Sequence, residues 1–513
     1  MPDAAPGQIR LGTAQGRWLL VGTILGTAVV FIDSTVVNVA LPAIQADLGG
    51  GVSGLQWTID AYLLSLSALI LVGGSLADLF GRKRMYIIGL IGFGLASLLC
   101  GIAPNIGTLI AARALQGVAG ALLVPGSLAI LEASFHPSDR STAIGAWTGF
   151  GGVGPALGPF VGGWLVDAAS WRWVFLVNVP FVVAAVYVAV RHVPESKAVG
   201  DRPQLDVPGS ITGALGLVGV VFALIEGPVR GWTDPLVLVF AGVGVVLLAA
   251  FLTIESRSPI AMLPLSIFRS RTFSGVNATT VAVYGALGGV FFLLILQLQE
   301  SMGYSALEAG VASLPVTAIM LVLSPRVGRL LTTVGPRWPM TVGPLVIAAG
   351  LLLMLRVEPG ATYLTSVFPA IVVFGLGLSC TVAPLTATAL AAVDAERSGL
   401  ASGVNNLAAR LAQLLAVALL PFAAGLTGPD AVDLTEGFHR AMLIVASLTV
   451  VGALIAFLTV PAEPLQRAEP EEPDAECQQA DGVVRDQEGL TAPCPSGHPL
   501  CPPIEAKIPA SQR

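Results

Sequence analysis

The chain has 513 residues, of which 54% are hydrophobic and 11% charged; an ordinary soluble domain carries roughly 25% charged residues. That balance excludes a soluble globular protein and predicts a polytopic membrane protein. The net charge of -6 identifies no charged partner, because the acidic excess lies largely after Pro461, in EPEEPDAE. Nucleic-acid binding has no support in so few basic residues, and with no Walker A glycine-lysine loop the chain is not expected to hydrolyse ATP.

A helix that crosses the hydrocarbon core needs about 20 apolar residues. Fourteen runs meet that need, beginning near Trp18, Leu55, Met85, Gly107, Thr142, Trp173, Val207, Pro235, Thr272, Leu307, Trp338, Thr362, Ser398 and Phe438. Between Met85 and Leu131 only Ala103-Pro104-Asn105 marks a turn, so twelve or thirteen spans also fit. The map expected from the sequence is an N-terminal segment 1–17, a six-helix bundle 18–191, a linker 192–206, two inserted helices 207–254, a loop 255–271, a second six-helix bundle 272–460 and a tail 461–513. Rich in Pro, Glu, Gln and Asp, the tail cannot bury enough apolar surface to fold alone and is expected to be disordered. The first span is too long for a signal-peptide core and has no small-residue cleavage site, so it is expected to persist as a mature helix.

Basic residues orient such a chain, since Lys and Arg concentrate in cytoplasmic loops. With the N-terminus inside, the inner loops before span 14 hold sixteen, among them Arg82, Lys83, Arg84, Arg329 and Arg397, whereas the outer loops hold four: Arg172, Arg230, Arg356 and Arg440. An even number of spans with both termini cytoplasmic is expected. Of five cysteines, Cys100 and Cys380 fall within spans and Cys477, Cys494 and Cys501 in the tail, so a disulfide framework is not expected. The tail run CPSGHPLC, with His498, fits no common zinc spacing. No metal or cofactor is expected.

The two bundles echo one another. GSLADLFGRKR follows span 2 and GRLLTTVGPRW follows span 10, each with glycines seven residues apart; Asp139-Arg140-Ser141 precedes span 5 and Glu396-Arg397-Ser398 precedes span 13. Such internal repeats are typical of secondary transporters.

Asp33 stands inside the first apolar run, in FIDSTVVNVALP. A charge at the centre of a membrane helix costs roughly 2.5–3.5 kcal/mol on insertion scales, so it faces protein or a water-filled cavity. Arg113 lies about 10 Å of helix rise into span 4, where it either snorkels to the interface or serves a buried carboxylate. Asp60 follows Gln56-Trp57 near the start of span 2; it lines the outer mouth of a cavity or is a solvated first-turn acid. In span 13, Asn405 adjoins the helical face of Asn406, Arg410 and Gln413. These groups either line a cavity or bond between helices. Span 5 carries GGVGPALGPFVGG, in which glycines permit close packing and Pro155 and Pro159 remove backbone donors.

Taken in order, FIDSTVVNVALP, GSLADLFGRKR, RALQGVAGALLVPGSLAIL, GGVGPALGPFVGG, WRWVFLVNVP and SGLASGVNN resemble the major facilitator superfamily, specifically its fourteen-span drug:proton antiporters of actinobacterial type. The resemblance covers nearly the whole chain except the tail. It implies an all-α integral membrane fold of two six-helix bundles plus two central helices. It also implies proton coupling at Asp33 and Arg113, and a contact between them. Arginine keeps its proton in proteins, so Arg113 would set the carrier and not be it. By the same resemblance Gly74, Asp78, Gly81, Arg82, Lys83 and Arg84 form a gating loop, with Leu79 where a basic residue is usual, and Gly154, Pro155, Gly158, Pro159, Gly162 and Gly163 form the antiporter signature between bundles. The expected function is proton-coupled export of hydrophobic, in some cases cationic, small molecules across a bacterial cytoplasmic membrane by a monomer. The other readings are an exporter dedicated to one endogenous metabolite or self-made antibiotic and, less favoured for want of a nucleophile-base set in the spans, a membrane enzyme.

Overall fold

Polar caps mark where the apolar runs begin. Thr13 accepts from the Gly16 amide at 3.0 Å, Asp206 from Gly209 at 2.9 Å and Asp234 from Leu236 at 2.8 Å, while Ser305 and Glu308 form a reciprocal capping box. Each satisfies amides that the first helical turn leaves free. The computed structural model describes residues 9–197, 206–258, 261–393, 398–428, 431–464, 483–485 and 491–493.

Up to Pro464 the chain is built of helices: α1 (Ala14–Leu48), α2 (Gly51–Phe80), α3 (Arg82–Gly101), α4 (Ile106–Ser134), α5 (Pro137–Ala168), the short α6 (Trp173–Leu176) with α7 (Asn178–His192), α8 (Val207–Arg230), α9 (Pro235–Arg257), α10 (Arg271–Leu296), α11 (Ala306–Val334), α12 (Arg337–Leu353), α13 (Phe368–Ala391), α14 (Ser398–Ala423) and α15 (Leu434–Thr459). Among the described residues, twelve spans are long and apolar enough to cross a membrane, with α6 and α7 counted together; α2 is a thirteenth if its bent halves form one span. The expected count of fourteen requires the glycine-rich α5 as well.

The tail forms a separate unit from Leu465 onward. Within it β1 (Val483–Arg485) pairs antiparallel with β2 (Thr491–Pro493), Val484 opposite Ala492. The β-branched Val483-Val484 pair suits an extended strand. Cys477, Cys494, His498 and Cys501 lie outside the described residues, as do Glu396 and Arg397.

Helices α1–α7 and α10–α15 form two halves. Small residues set their closest approaches: a Cβ on Gly117 would stand 2.3 Å from the Tyr62 carbonyl oxygen, and one on Gly73 2.0 Å from that of Ala121, so α2 and α4 touch backbone to backbone. The inserted pair packs the same way through Gly219 and Gly244. Most of the α9 side chains face outward, Val245 and Val246 being 61% and 67% exposed, as suits a helix facing lipid. Trp57 of α2 donates to Glu226 of α8 at 3.0 Å, and Trp232, just after α8, meets Phe422 of α14 with ring centroids 5.3 Å apart. The inserted pair therefore touches both halves.

One end of this helical unit carries Arg82, Lys83, Arg84 and Arg337, with Ile9 bonded to Ser134 and Ala462 packed on Gly335. This is the basic end. At the opposite, far end Gln56 donates to the carbonyls of Val417 and Ala418 at 2.7 and 2.9 Å, Gln299 to that of Val39 at 3.0 Å, and the Asp167 carboxylate accepts from the free amides of Ala306 and Leu307 at 3.2 and 2.9 Å. These bonds join the halves. Glycines make the approach: a Cβ on Gly163 would lie 2.4 Å from the Ala306 oxygen, and one on Gly310 2.2 Å from the Pro159 oxygen. Gly310→Ala is expected to cost about 1–3 kcal/mol of this closed arrangement through overpacking. The check is thiol labelling of a cysteine at Asp167, which should rise in the Gly310→Ala background. Equal labelling in both backgrounds would mean the contact is not a closure.

Candidate proton-coupling site

Asp33 lies on the buried face of α1 with Val29, Val30, Val36 and Val37, and it is fully buried. Arg113 and Gln116, three residues apart and so on one face of α4, are 1% and 0% exposed. Ser97 and Cys100 present the same spacing on α3, and Asn178 opens α7 directly after the short α6. Four helices thus deliver polar groups to one dry point.

The bonds there close on the carboxylate. Asp33 Oδ2 accepts from Arg113 Nη1 at 2.5 Å, and Oδ1 accepts from Gln116 Nε2 and Asn178 Nδ2, both at 2.9 Å. Arg113 Nη1 also donates to Gln116 Oε1 at 2.7 Å, and its Nε to the Thr58 carbonyl at 3.0 Å. Being a donor only, Arg113 fixes the Gln116 amide with its oxygen toward the guanidinium and its nitrogen toward Asp33. The Ser97 hydroxyl accepts from Gln116 at 2.7 Å and from Asn178 at 3.2 Å. Tyr62 stacks on the guanidinium 4.3 Å from its ring centroid, and its hydroxyl donates to the Val30 carbonyl at 3.2 Å.

Every group on Asp33 is a donor. The arrangement satisfies an ionised carboxylate fully, and a proton arriving on either oxygen would find no acceptor without an amide turning or Arg113 withdrawing. Protonation and geometry are thereby linked. Breaking such a buried pair by removing one partner costs about 3–5 kcal/mol, since the other charge stays buried.

Of the residues expected to act together, Asp33 and Arg113 do meet, and the snorkelling alternative for Arg113 is excluded by its burial. Gln116, Asn178, Ser97 and Tyr62 were not anticipated. Gln116 and Asn178 stand inside the quoted RALQG and VNVP segments, and a carboxamide in a lipid-grade helix is itself a signal. Asp60 is fully buried, not a solvated first-turn acid, and both its oxygens lack a protein partner. Asn405 turns to α10, donating to Asn277 at 3.2 Å and to Thr280 at 2.8 Å. Asn406 is exposed and bonds to the Ser402 carbonyl within its own helix. Arg410 is partly buried.

In the loop after α2, Asp78 pairs with Arg82 at 2.9 Å, and Arg82 also reaches the Ala129 carbonyl at 3.2 Å. Glu195 caps α3 by accepting from the amides of Lys83 and Arg84 at 3.1 and 3.2 Å, while Lys83 Nζ donates to the Val190 carbonyl at 3.0 Å. These contacts all stay within the N-terminal half. Gly81, at φ +108°, occupies a conformation that favours glycine. A Cβ on Gly74 would meet only Pro125, at 3.6 Å, so the close approach of α2 to α4 is made at Gly73 and not at the glycine of the gating loop. At the start of α5 the Leu11 amide donates to Asp139 at 2.9 Å and holds that carboxyl below its usual range, tying residues 9–11 to the basic end. Gly158 and Gly162 pack on Thr35 and Val36 of α1, and Gly163 on α11; Gly154 and Pro155 lie in α5 in a stretch whose side chains fall outside the described residues.

Asp78→Asn is expected to leave the amount of protein in the membrane unchanged, because the pair is partly open to solvent and a solvent-screened pair contributes about 1 kcal/mol or less, yet to impair transport. Efflux measured against membrane abundance checks this. Unchanged transport would reduce the loop to a topology signal.

Two helical halves, two inserted helices and a buried acid-arginine network define a multi-pass membrane transporter. The family model described as Major Facilitator Superfamily matches residues 23–417, with a second match over 281–493, and the chain belongs to that family. It is 39% identical over 428 residues to the puromycin resistance protein pur8 of Streptomyces alboniger, covering 82% of this chain and 85% of that one. It is 35% identical over 402 residues to the multidrug resistance protein Stp of Mycobacterium tuberculosis, covering 78% and 74%. In fold it is similar to a crystal structure of the peptide transporter POT in complex with sulfate, with a TM-score of 0.65 and 15% identity over 88% of this chain and 96% of that one.

Proposed function

We propose that this chain is a proton-driven antiporter that exports hydrophobic small molecules, such as drugs, antibiotics and dyes, across a bacterial cytoplasmic membrane as a monomer. The observation that carries this reading is the buried Asp33 carboxylate, held by Arg113, Gln116 and Asn178 in a form that a proton must disrupt. Closure of the halves at the far end accompanies that donor-satisfied state. If the basic end is cytoplasmic, this is the conformation in which a proton has left to the inside and substrate can enter from the same side. Asp60, Asn406 and Arg410 are the candidates for the substrate path, with Asn405 supporting its helix.

The relatives' names support export of toxic compounds, one naming a single antibiotic and one many drugs. An exporter dedicated to one metabolite therefore stays as the second reading. Expression in an efflux-deficient host, with a panel of dyes and antibiotics and with or without an uncoupler, separates the two. Lowered accumulation of several unrelated compounds, reversed by the uncoupler, supports the first; one compound alone supports the second; no uncoupler effect removes proton coupling from both.

Orientation is tested separately. Cysteines replacing Arg82 and Arg329 are expected to stay unlabelled by an impermeant thiol reagent in intact cells, and those replacing Arg230 and Arg440 to be labelled, because basic residues concentrate inside. The reverse pattern would invert the transport direction.

A further inference from the structure

Two buried acids at the basic end take no part in the Asp33 network. Asp206 caps α8 and Glu255 lies near the end of α9, and each is only 2% exposed. One oxygen of each is met by a backbone amide: Asp206 Oδ1 accepts from Gly209 and Glu255 Oε2 from Leu263, both at 2.9 Å. The other two, Asp206 Oδ2 and Glu255 Oε1, are shielded from solvent and meet no donor. They face one another. A Cβ on Gly209 would stand 2.6 Å from the first and 2.9 Å from the second, so both oxygens crowd one point, and the two carboxyls lie within hydrogen-bonding reach of each other.

Two carboxylates cannot both stay ionised at such a contact, because each charge repels the other and burial removes the water that would screen them. No cation of the chain relieves them, since no ion pair reaches either acid among the described residues. On their own helices Glu226 pairs with Arg230 at the far end, where Asp234 also stands, and Arg257 is exposed. Among the elements packed on this pair of helices, α2 carries the buried Asp60 and Asp78, the latter paired with Arg82, and α14 carries Arg410. The segment leading into α10 carries Arg269 and Arg271, both exposed. None of these groups bonds to Asp206 or Glu255. The hydrogen bond open to the two free oxygens is with each other, and it requires a proton.

Their place in the chain gives that proton a role. Asp206 ends the stretch that arrives from the N-terminal half, and Glu255 holds the stretch that leaves for the C-terminal half, where Leu263 packs with Ile267, Phe273 of α10, and Ala401 and Val404 of α14. Beside them the Ser210 hydroxyl reaches the Met262 sulfur at 3.4 Å. We infer that Asp206 and Glu255 form a second proton-binding site, whose single shared proton clasps the start of α8 to the segment entering the C-terminal half, and that a rise in pH at the basic end opens this clasp. The proton belongs to the clasped form, so the clasp is held at low pH and lost as pH rises. Nothing in this requires Asp33 to be the transport carrier, so the two sites stand or fall separately.

Hydrogen exchange of the peptide holding Leu263, corrected for the intrinsic effect of pH, reads the clasp in the purified full chain in lipid nanodiscs, because the Leu263 amide donates to Glu255 while the clasp is shut. Between about pH 6 and about pH 9 the wild type is expected to lose protection about tenfold through local opening. In Glu255→Gln the side-chain amide supplies the donor that the proton supplied, so protection is expected to stay high across the range. Asp206→Asn keeps the helix cap and is expected to behave the same way; it carries the test if the glutamine variant does not fold. Glu255→Ala is expected to be unprotected throughout. Wild-type protection that does not change with pH, or that falls equally in the amide variants, would overturn the inference. So would recovery of wild-type protection at high pH on addition of calcium chloride, which would make the pair a metal-cation site.

Discussion

Asp33→Asn is expected to abolish uphill, proton-driven efflux while leaving substrate binding and some downhill exchange. Asparagine keeps the size of the side chain and one acceptor oxygen, so the amide partners Gln116 and Asn178 still have a neighbour, but it cannot alternate between charged and neutral forms. The substitution also strands the Arg113 guanidinium as a buried charge without its counter-ion, at a cost of about 3–5 kcal/mol in stability. The double variant Asp33→Asn/Arg113→Gln removes both charges; it is expected to recover much of that stability and none of the coupling. Efflux with and without a pH gradient, together with thermal unfolding of each purified variant, separates the two effects. Recovery of uphill transport in the double variant would show that Asp33 is structural.

Arg113→Ala is expected to damage coupling nearly as much, for a different reason. It leaves the Asp33 carboxylate with amide donors only and empties three further contacts at once: Gln116 Oε1, the Thr58 carbonyl and the face of Tyr62. With its fixer gone, the Gln116 amide is free to turn, so that Asp33 can keep a proton in the closed-end state in which it should release one. Arg113→Lys retains the positive charge, yet a single ammonium cannot meet Asp33, Gln116 and Thr58 with the geometry of a planar fork, so partial activity is expected. The readout is the pH dependence of substrate efflux. A lysine variant with the wild-type profile would mean that charge alone matters, and an alanine variant with that profile would remove Arg113 from the coupling site.

Legibility in the sequence followed periodicity and cost. Apolar runs of membrane length, the basic-residue bias and the cost of Asp33 in lipid are local properties, so the helical fold and the central acid could be read directly. Arg113 could be placed beside Asp33 only through resemblance, since no spacing relates residues on α1 and α4. Gln116 and Asn178 were visible as amides in apolar helices, but their convergence with Ser97 depends on how α1, α3, α4 and α7 pack. The bland alternatives resolved in different directions for the same reason. Asn405 spends its donor on α10, whereas Arg410, five residues on, keeps its Nε shielded from solvent without a hydrogen-bond partner. Periodicity assigns both to faces of α14 without saying what each face meets. Gly74 and Gly73 differ likewise: the repeat singled out one, and helix packing uses the other.

The most direct test of proton coupling at Asp33 is proton release on substrate addition, measured with a pH indicator on purified protein in weakly buffered detergent solution, using a compound shown to be exported by the wild type. Wild-type protein is expected to release protons as substrate binds, and Asp33→Asn to bind the same substrate with no release. Release from Asp33→Asn at the wild-type ratio would contradict the assignment and move the carrier to another buried acid, with Asp60 the first to examine.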